Sequence, residues 1–181
     1  MFSQPRRLCY WMDIQEFKTK VLPAKNKLYR LAHFLLQNKE EAEDILQDVF
    51  LKLWTNKHKL HAYNSIEAFA MTITKNLCLD KLKQAKRKQW VDIEDMNLRA
   101  PDATPDQRFE QTDNAQKVQE LLETLPEQQK LVLHLRDVEG FSFEEIEQIT
   151  NLTINNIRVL LSRARKNVRD GFLKLENYEM G

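Results

Sequence analysis

The sequence predicts an all-α protein: two small helical domains joined by a flexible linker, the second containing a helix-turn-helix. Three observations carry this. Glycine and proline are scarce, with 3 and 5 residues among 181, whereas a sheet protein needs turn residues at short, regular intervals. Apolar residues recur at helical spacing over two long stretches. Between them, residues 91–112 lose the period, contain Pro101 and Pro105, and hold 2 basic against 6 acidic residues, the composition of a tether.

From Ile14 to Trp90 the pattern reads as consecutive amphipathic helices, giving a first domain over residues 13–90. Leu28, Leu31, Ala32 and Leu35 mark one helix. Ile45, Val49 and Leu53, with Leu46, Phe50 and Trp54 beside them, mark the next. Asn64 followed by Glu67 reads as a helix start, after which Phe69, Ile73, Asn76, Leu77 and Asp80 run along a helix into the basic KLKQAKRKQW. Residues 1–12 form an N-terminal lead, and Met12 is an alternative initiator that would make the first 11 residues non-native.

The second domain covers residues 113–176, followed by a tail over 177–181. Val118, Leu121, Leu122 and Leu125 resume the helical period, Pro126 breaks it, and Leu131, Val132 and Leu135 mark the next helix. Ser142 and Glu145 fit a capping box, so a helix starts there and runs to about Thr150. Asn151-Leu152-Thr153 supplies a short turn: Asn tolerates a left-handed backbone, and Thr153 caps the helix INNIRVLLSRARKNVR. On that helix Ile157, Leu160, Leu161, Ala164 and Val168 form one buried stripe. The opposite face displays Asn155, Arg158, Val159, Ser162, Arg163 and Lys166 with no acidic interruption. Guanidinium, amide and hydroxyl groups in that array suit base edges and phosphates, so the motif alone points to DNA binding.

The net charge of +1 hides segregation along the chain. Residues 1–90 hold 17 basic against 9 acidic residues, residues 113–150 hold 3 against 9, and residues 151–181 hold 6 against 3. Within the basic first domain, Asp44, Gln47 and Asp48 share a helix face, a patch that either meets a partner or balances neighbouring lysines. No apolar run approaches the roughly 18 residues of a membrane span, and the opening residues lack a signal-peptide core, so a cytoplasmic protein is expected. Cys9 and Cys78 lie far apart, which excludes a disulfide framework and a four-cysteine zinc site. His58 and His61 lack a ligand set for a metal, Cys78 reads as core packing, and three glycines make no phosphate-cradling loop. Neither an enzyme nor a cofactor is expected.

The pairing of EAEDILQDVFLKLW with LPEQQKLVLHLRDVEGFSFEEIEQITNLTINNIRVLLSRARK resembles bacterial sigma factors of the extracytoplasmic-function group of the sigma-70 family. The likeness runs from about residue 13 to 175. It implies a non-catalytic subunit that joins core RNA polymerase, directs it to the −10 and −35 promoter elements and helps melt the DNA. Asp44, Gln47, Asp48, Phe50 and Trp54 would form or support the polymerase contact. His58, His61, Tyr63, Asn76, Asp80, Lys83 and Arg87 would meet the −10 element, with Lys75, Lys81, Lys86 and Lys88 as further phosphate partners. Thr153, Asn155, Asn156, Arg158, Val159, Ser162, Arg163, Arg165 and Lys166 would meet the −35 element. The implied partners are core RNA polymerase, promoter DNA and an anti-sigma factor, often membrane-bound in the family. Glu147, Leu160 and Phe69 stand where the family usually has Ala, Arg and Trp. The competing reading is a stand-alone helix-turn-helix regulator, which leaves the first domain unexplained.

Overall fold

The structure, a computed structural model, describes residues 12–95 and 121–179, with side chains through Arg87 and Lys174 respectively. The lead over 1–11, the linker over 96–112, the start of the second domain with Val118, and residues 180–181 lie outside the described residues. Every regular element among the described residues is helical, and the chain divides into two compact units, Met1–Arg87 and Lys88–Gly181.

In the first unit Asp13 opens α1 (Ile14–Lys20) by accepting the Glu16 N–H at 2.7 Å. A 3-10 turn, Leu22–Ala24, carries the chain into α2 (Lys25–Leu36). Gln37 then adopts a left-handed backbone, φ 54°, and Asn38 caps α3 (Lys39–Thr55) by accepting the Glu41 N–H at 3.0 Å. This two-residue joint folds α2 back onto α3. Leu28, Leu31, Ala32 and Leu36 are buried on α2, and Ala42, Ile45, Leu46, Val49 and Leu53 on α3. Met12, assigned to the lead from sequence, is fully buried and belongs to this core.

A second 3-10 segment, Lys57–Ala62, leads to α4 (Ile66–Asp95). The helix start predicted at Asn64 falls one residue later, because the Ser65 hydroxyl accepts the Ala68 N–H at 3.1 Å. Glu67 reaches Lys27 at 2.5 Å instead of the cap. The helix also continues through Asp95, five residues into the stretch read as linker. Periodicity reports a buried face, and a helix keeps its backbone bonds where that face ends.

In the second unit residues 121–123 are helical, and the Thr124 N–H closes on the Leu121 carbonyl at 3.2 Å. Pro126 ends that segment and starts α5 (Glu127–Leu133), which its carbonyl joins through the Lys130 N–H at 3.0 Å. A π turn, His134–Val138, follows α5; nothing in the sequence pattern announces it. Its wider loop buries His134 beside Glu139, with Nε2 and Oε1 3.4 Å apart. Gly140 takes φ 78° to redirect the chain into α6 (Phe143–Thr150), and Asn151, at φ 59°, ends it before α7 (Ile154–Glu179). A Cβ on Gly171 would lie 2.5 Å from the Leu121 side chain, so glycine lets α7 pass that close. Helix α7 covers the first three residues of the stretch read as a tail.

Candidate functional site

The helix-turn-helix is built from local chemistry. Ser142 accepts the Glu145 N–H at 3.1 Å while Glu145 accepts the Ser142 N–H at 3.0 Å, completing the capping box. Thr153 Oγ1 accepts the Asn156 N–H at 3.4 Å at the head of α7. Glu147, one of the departures from the family pattern, accepts the Ile154 N–H at 3.2 Å and so ties α6 to the first turn of α7. Ile157, Leu161 and Ala164 are buried, with Leu160 and Val168 half-buried at their flanks. Thr153, Asn155, Asn156, Arg158, Ser162, Arg163 and Lys166 are exposed, and Val159 is 46% exposed among them. An apolar side chain held outward between cations suits the methyl of a thymine.

Arg165 is exposed too, yet its Nε and Nη2 donate to the two carboxylate oxygens of Asp137 at 3.0 and 2.5 Å. The hydrogen bond raises the guanidinium above its ordinary range. Arg165 lines a groove of about 610 Å³ with Phe143, Arg158, Ser162, Lys166 and Arg169. Arg136 and Arg158 lie over the Phe143 ring, 4.7 and 5.2 Å from its centroid. The sequence reading missed Phe143, Arg136 and Arg169; the available signal was Phe143 standing off the Ile146 and Ile149 stripe of α6.

On α3 the buried residues occupy one side, and Asp44, Gln47 and Asp48 stand exposed on the other. Leu51, 64% exposed, extends that face one turn onward and was missed from sequence. Its signal was an apolar residue outside the buried spacing. Phe50 is half-buried at the border of the face. Trp54 is 36% exposed, edge-on to Phe17 at 5.2 Å, with Lys57 Nζ 3.7 Å from its ring centroid.

His58, His61 and Tyr63 are exposed along the Lys57–Ala62 segment and its end. His61 Nε2 lies 3.7 Å from Glu16, and the Tyr63 ring stacks on Phe69 at 3.8 Å and 17°. Phe69 thus keeps an aromatic platform where the family favours Trp. Asn76, Asp80, Lys83 and Arg87 fall at i, i+4, i+7 and i+11 and are all exposed, one stripe along α4. Lys83 Nζ is 4.0 Å from Asp80, and Lys81 reaches Glu41 at 3.6 Å. Lys75 corrects the sequence reading: it is 6% exposed, and burial pulls its ammonium below the ordinary range, so it is not an outward phosphate partner. Cys78 is fully buried, and burial pushes its thiol up to about 12.

Residues 22–88 match the family model for sigma-70 region 2, and residues 115–168 match that for sigma-70 region 4. Together the matches cover about two thirds of the chain. The ECF RNA polymerase sigma factor SigE of Mycolicibacterium smegmatis is 28% identical over 151 residues, covering 82% of this chain and 58% of that protein. SigW of Bacillus subtilis, another ECF RNA polymerase sigma factor, is 23% identical over 154 residues, covering 80% and 82% respectively. The fold is similar to the sigma factor RpoE of Bartonella quintana, solved in complex with the anti-sigma factor NepR, with a TM-score of 0.69 and 24% identity over 88% of this chain and 98% of that one. It is also similar to CnrH, solved with the cytosolic domain of CnrY, with a TM-score of 0.59 and 17% identity over 87% and 88%. Two family models in chain order, matching the two structural units, lead to one conclusion: the chain belongs to the sigma-70 family of RNA polymerase sigma factors, in its extracytoplasmic-function group.

Proposed function

We propose that this chain joins core RNA polymerase in the cytoplasm, guides it to promoters through −35 and −10 contacts, and assists melting while the polymerase performs all the chemistry. One observation carries the reading. A region 2 match whose α3 exposes Asp44, Gln47, Asp48 and Leu51 is paired, in one chain, with a region 4 match whose α7 exposes a cationic face without a carboxylate of its own from Asn155 to Lys166. A stand-alone regulator has no use for the first.

In this reading the α3 face docks on the polymerase, its charges steering the encounter and Leu51 supplying desolvated contact, with Phe50 and Trp54 bracing it. The α7 helix lies in the major groove at the −35 element. Asn155, Asn156, Arg158, Val159, Ser162 and Arg163 face bases and nearby phosphates, Thr153 sets the helix start, and Lys166 takes a phosphate. At the −10 element the Tyr63 ring on Phe69, with His58 and His61, offers stacking for an unstacked base, which offsets a cost of a few kcal/mol. Asn76, Asp80, Lys83 and Arg87 line the strand beside it. The likeness to RpoE, solved in complex with the anti-sigma factor NepR, supports an anti-sigma partner for this chain as well.

The test is co-elution of the full chain with core RNA polymerase, wild type against Asp48→Arg. One-to-one binding lost in a folded Asp48→Arg chain is the expected result. Equal binding by both would remove α3 from the contact.

A further inference from the structure

Among the cations lining the α7 groove, Arg165 is held in a bidentate pair. Asp137 engages Nε and Nη2 together, the edge of the guanidinium that a phosphate would otherwise take. The two residues are 28 positions apart, and Asp137 sits in the π turn, whose wider loop carries it to the side of α7. Arg158 lies over the Phe143 ring, and Arg169 Nε is 3.5 Å from its neighbour Asp170. Asp137 thus reaches a groove-lining arginine of α7 from another element.

A closed Arg–Asp pair carries no net charge, and it displaces no counterion from DNA beyond what its neighbours displace. We infer that Asp137 is an affinity-setting residue: it holds Arg165 as a neutral pair, so the −35 helix engages one phosphate fewer than its cations allow. Arg165 then serves to mask Asp137 from the DNA backbone. This rests on the reading of α7 as the −35 helix. The device gives a helix that searches DNA a weaker grip on arbitrary sequence, leaving base contacts a larger share of the total.

The experiment uses holoenzyme made from the full chain and core RNA polymerase, on the duplex that the wild-type holoenzyme itself selects from a random pool. Affinity is followed from about 50 to about 200 mM salt. Asp137→Ala frees Arg165, and the expected result is several-fold tighter binding with a salt slope steeper by about 0.9. Asp137→Asn, closer in shape, gives the same direction. Arg165→Ala bares the carboxylate and weakens binding several-fold. The double variant returns to wild type in both affinity and slope, because it removes a pair that was neutral. A double variant as weak as Arg165→Ala, or an unchanged slope in Asp137→Ala, would overturn the inference and make Arg165 an ordinary phosphate ligand. Selection of no sequence by the wild-type holoenzyme would overturn the promoter-binding reading beneath it.

Discussion

Helix α3 buries Ala42, Ile45, Leu46, Val49 and Leu53, and helix α7 buries Ile157, Leu161 and Ala164, so each presents one long outward face. On α3 that face groups Asp44, Gln47 and Asp48 about an exposed Leu51; on α7 it groups Arg158, Ser162, Arg163 and Lys166 about an exposed Val159. The framework is shared and the sign of the charge is reversed. A polyanion demands cations and tolerates few carboxylates, whereas a protein partner can be met by acid and amide around an apolar centre. The difference teaches that the outward residues, and not the helices that carry them, assign the partner.

The largest expected effect comes from spoiling the apolar centre of the acidic face. Leu51→Asp places a charge where a docked partner excludes water, and core polymerase binding should fall by about tenfold or more with the fold intact. Competition against a labelled wild-type chain measures it, and unchanged affinity would make Leu51 an ordinary exposed leucine. Next is Ser142→Ala, which removes half of the capping box that sets the start of α6. Thermal unfolding of the second unit should show a loss of about 1 kcal/mol, and no loss would mean that the cap is replaced by water.

A third change works on the basic face alone. Arg163→Ala should weaken promoter binding by the holoenzyme and reduce its salt slope by about 1, while leaving core affinity as it was. Loss of core affinity in that variant would blur the division between the faces. The smallest effect is expected at Cys78, where the buried thiol stays protonated. In a Cys9→Ser chain a thiol reagent should label it at the rate of unfolding, and fast labelling of that native chain would contradict the buried assignment.

How much of this was legible in the sequence follows from the range of each interaction. Ser142, Asn151 and Thr153 act within a few residues of themselves, so the turn and both caps could be read directly. The Asp44 and Arg163 faces follow from period alone. The π turn at His134–Val138 has no residue pattern of its own, and the pair it enables, Asp137 with Arg165, spans 28 positions. Lys75 looked like one more member of a basic run until packing buried it. Ser65 displaced Asn64 as the cap because adjacent residues both qualify and only the geometry selects one. Glu147 stood out from sequence only as a departure from the family's usual Ala, and its bond to Ile154 makes it a brace.

The most direct test of the divided labour between the two faces is the permanganate reactivity of thymines in a selected promoter, with the chain alone, core polymerase alone and both together. Reactive thymines around the −10 element only when both are present, lost with Asp48→Arg and weakened at high salt by Arg163→Ala, are the expected result. Specific protection of the duplex by the chain alone, with no melting when polymerase is added, would contradict it and return the protein to a stand-alone helix-turn-helix regulator.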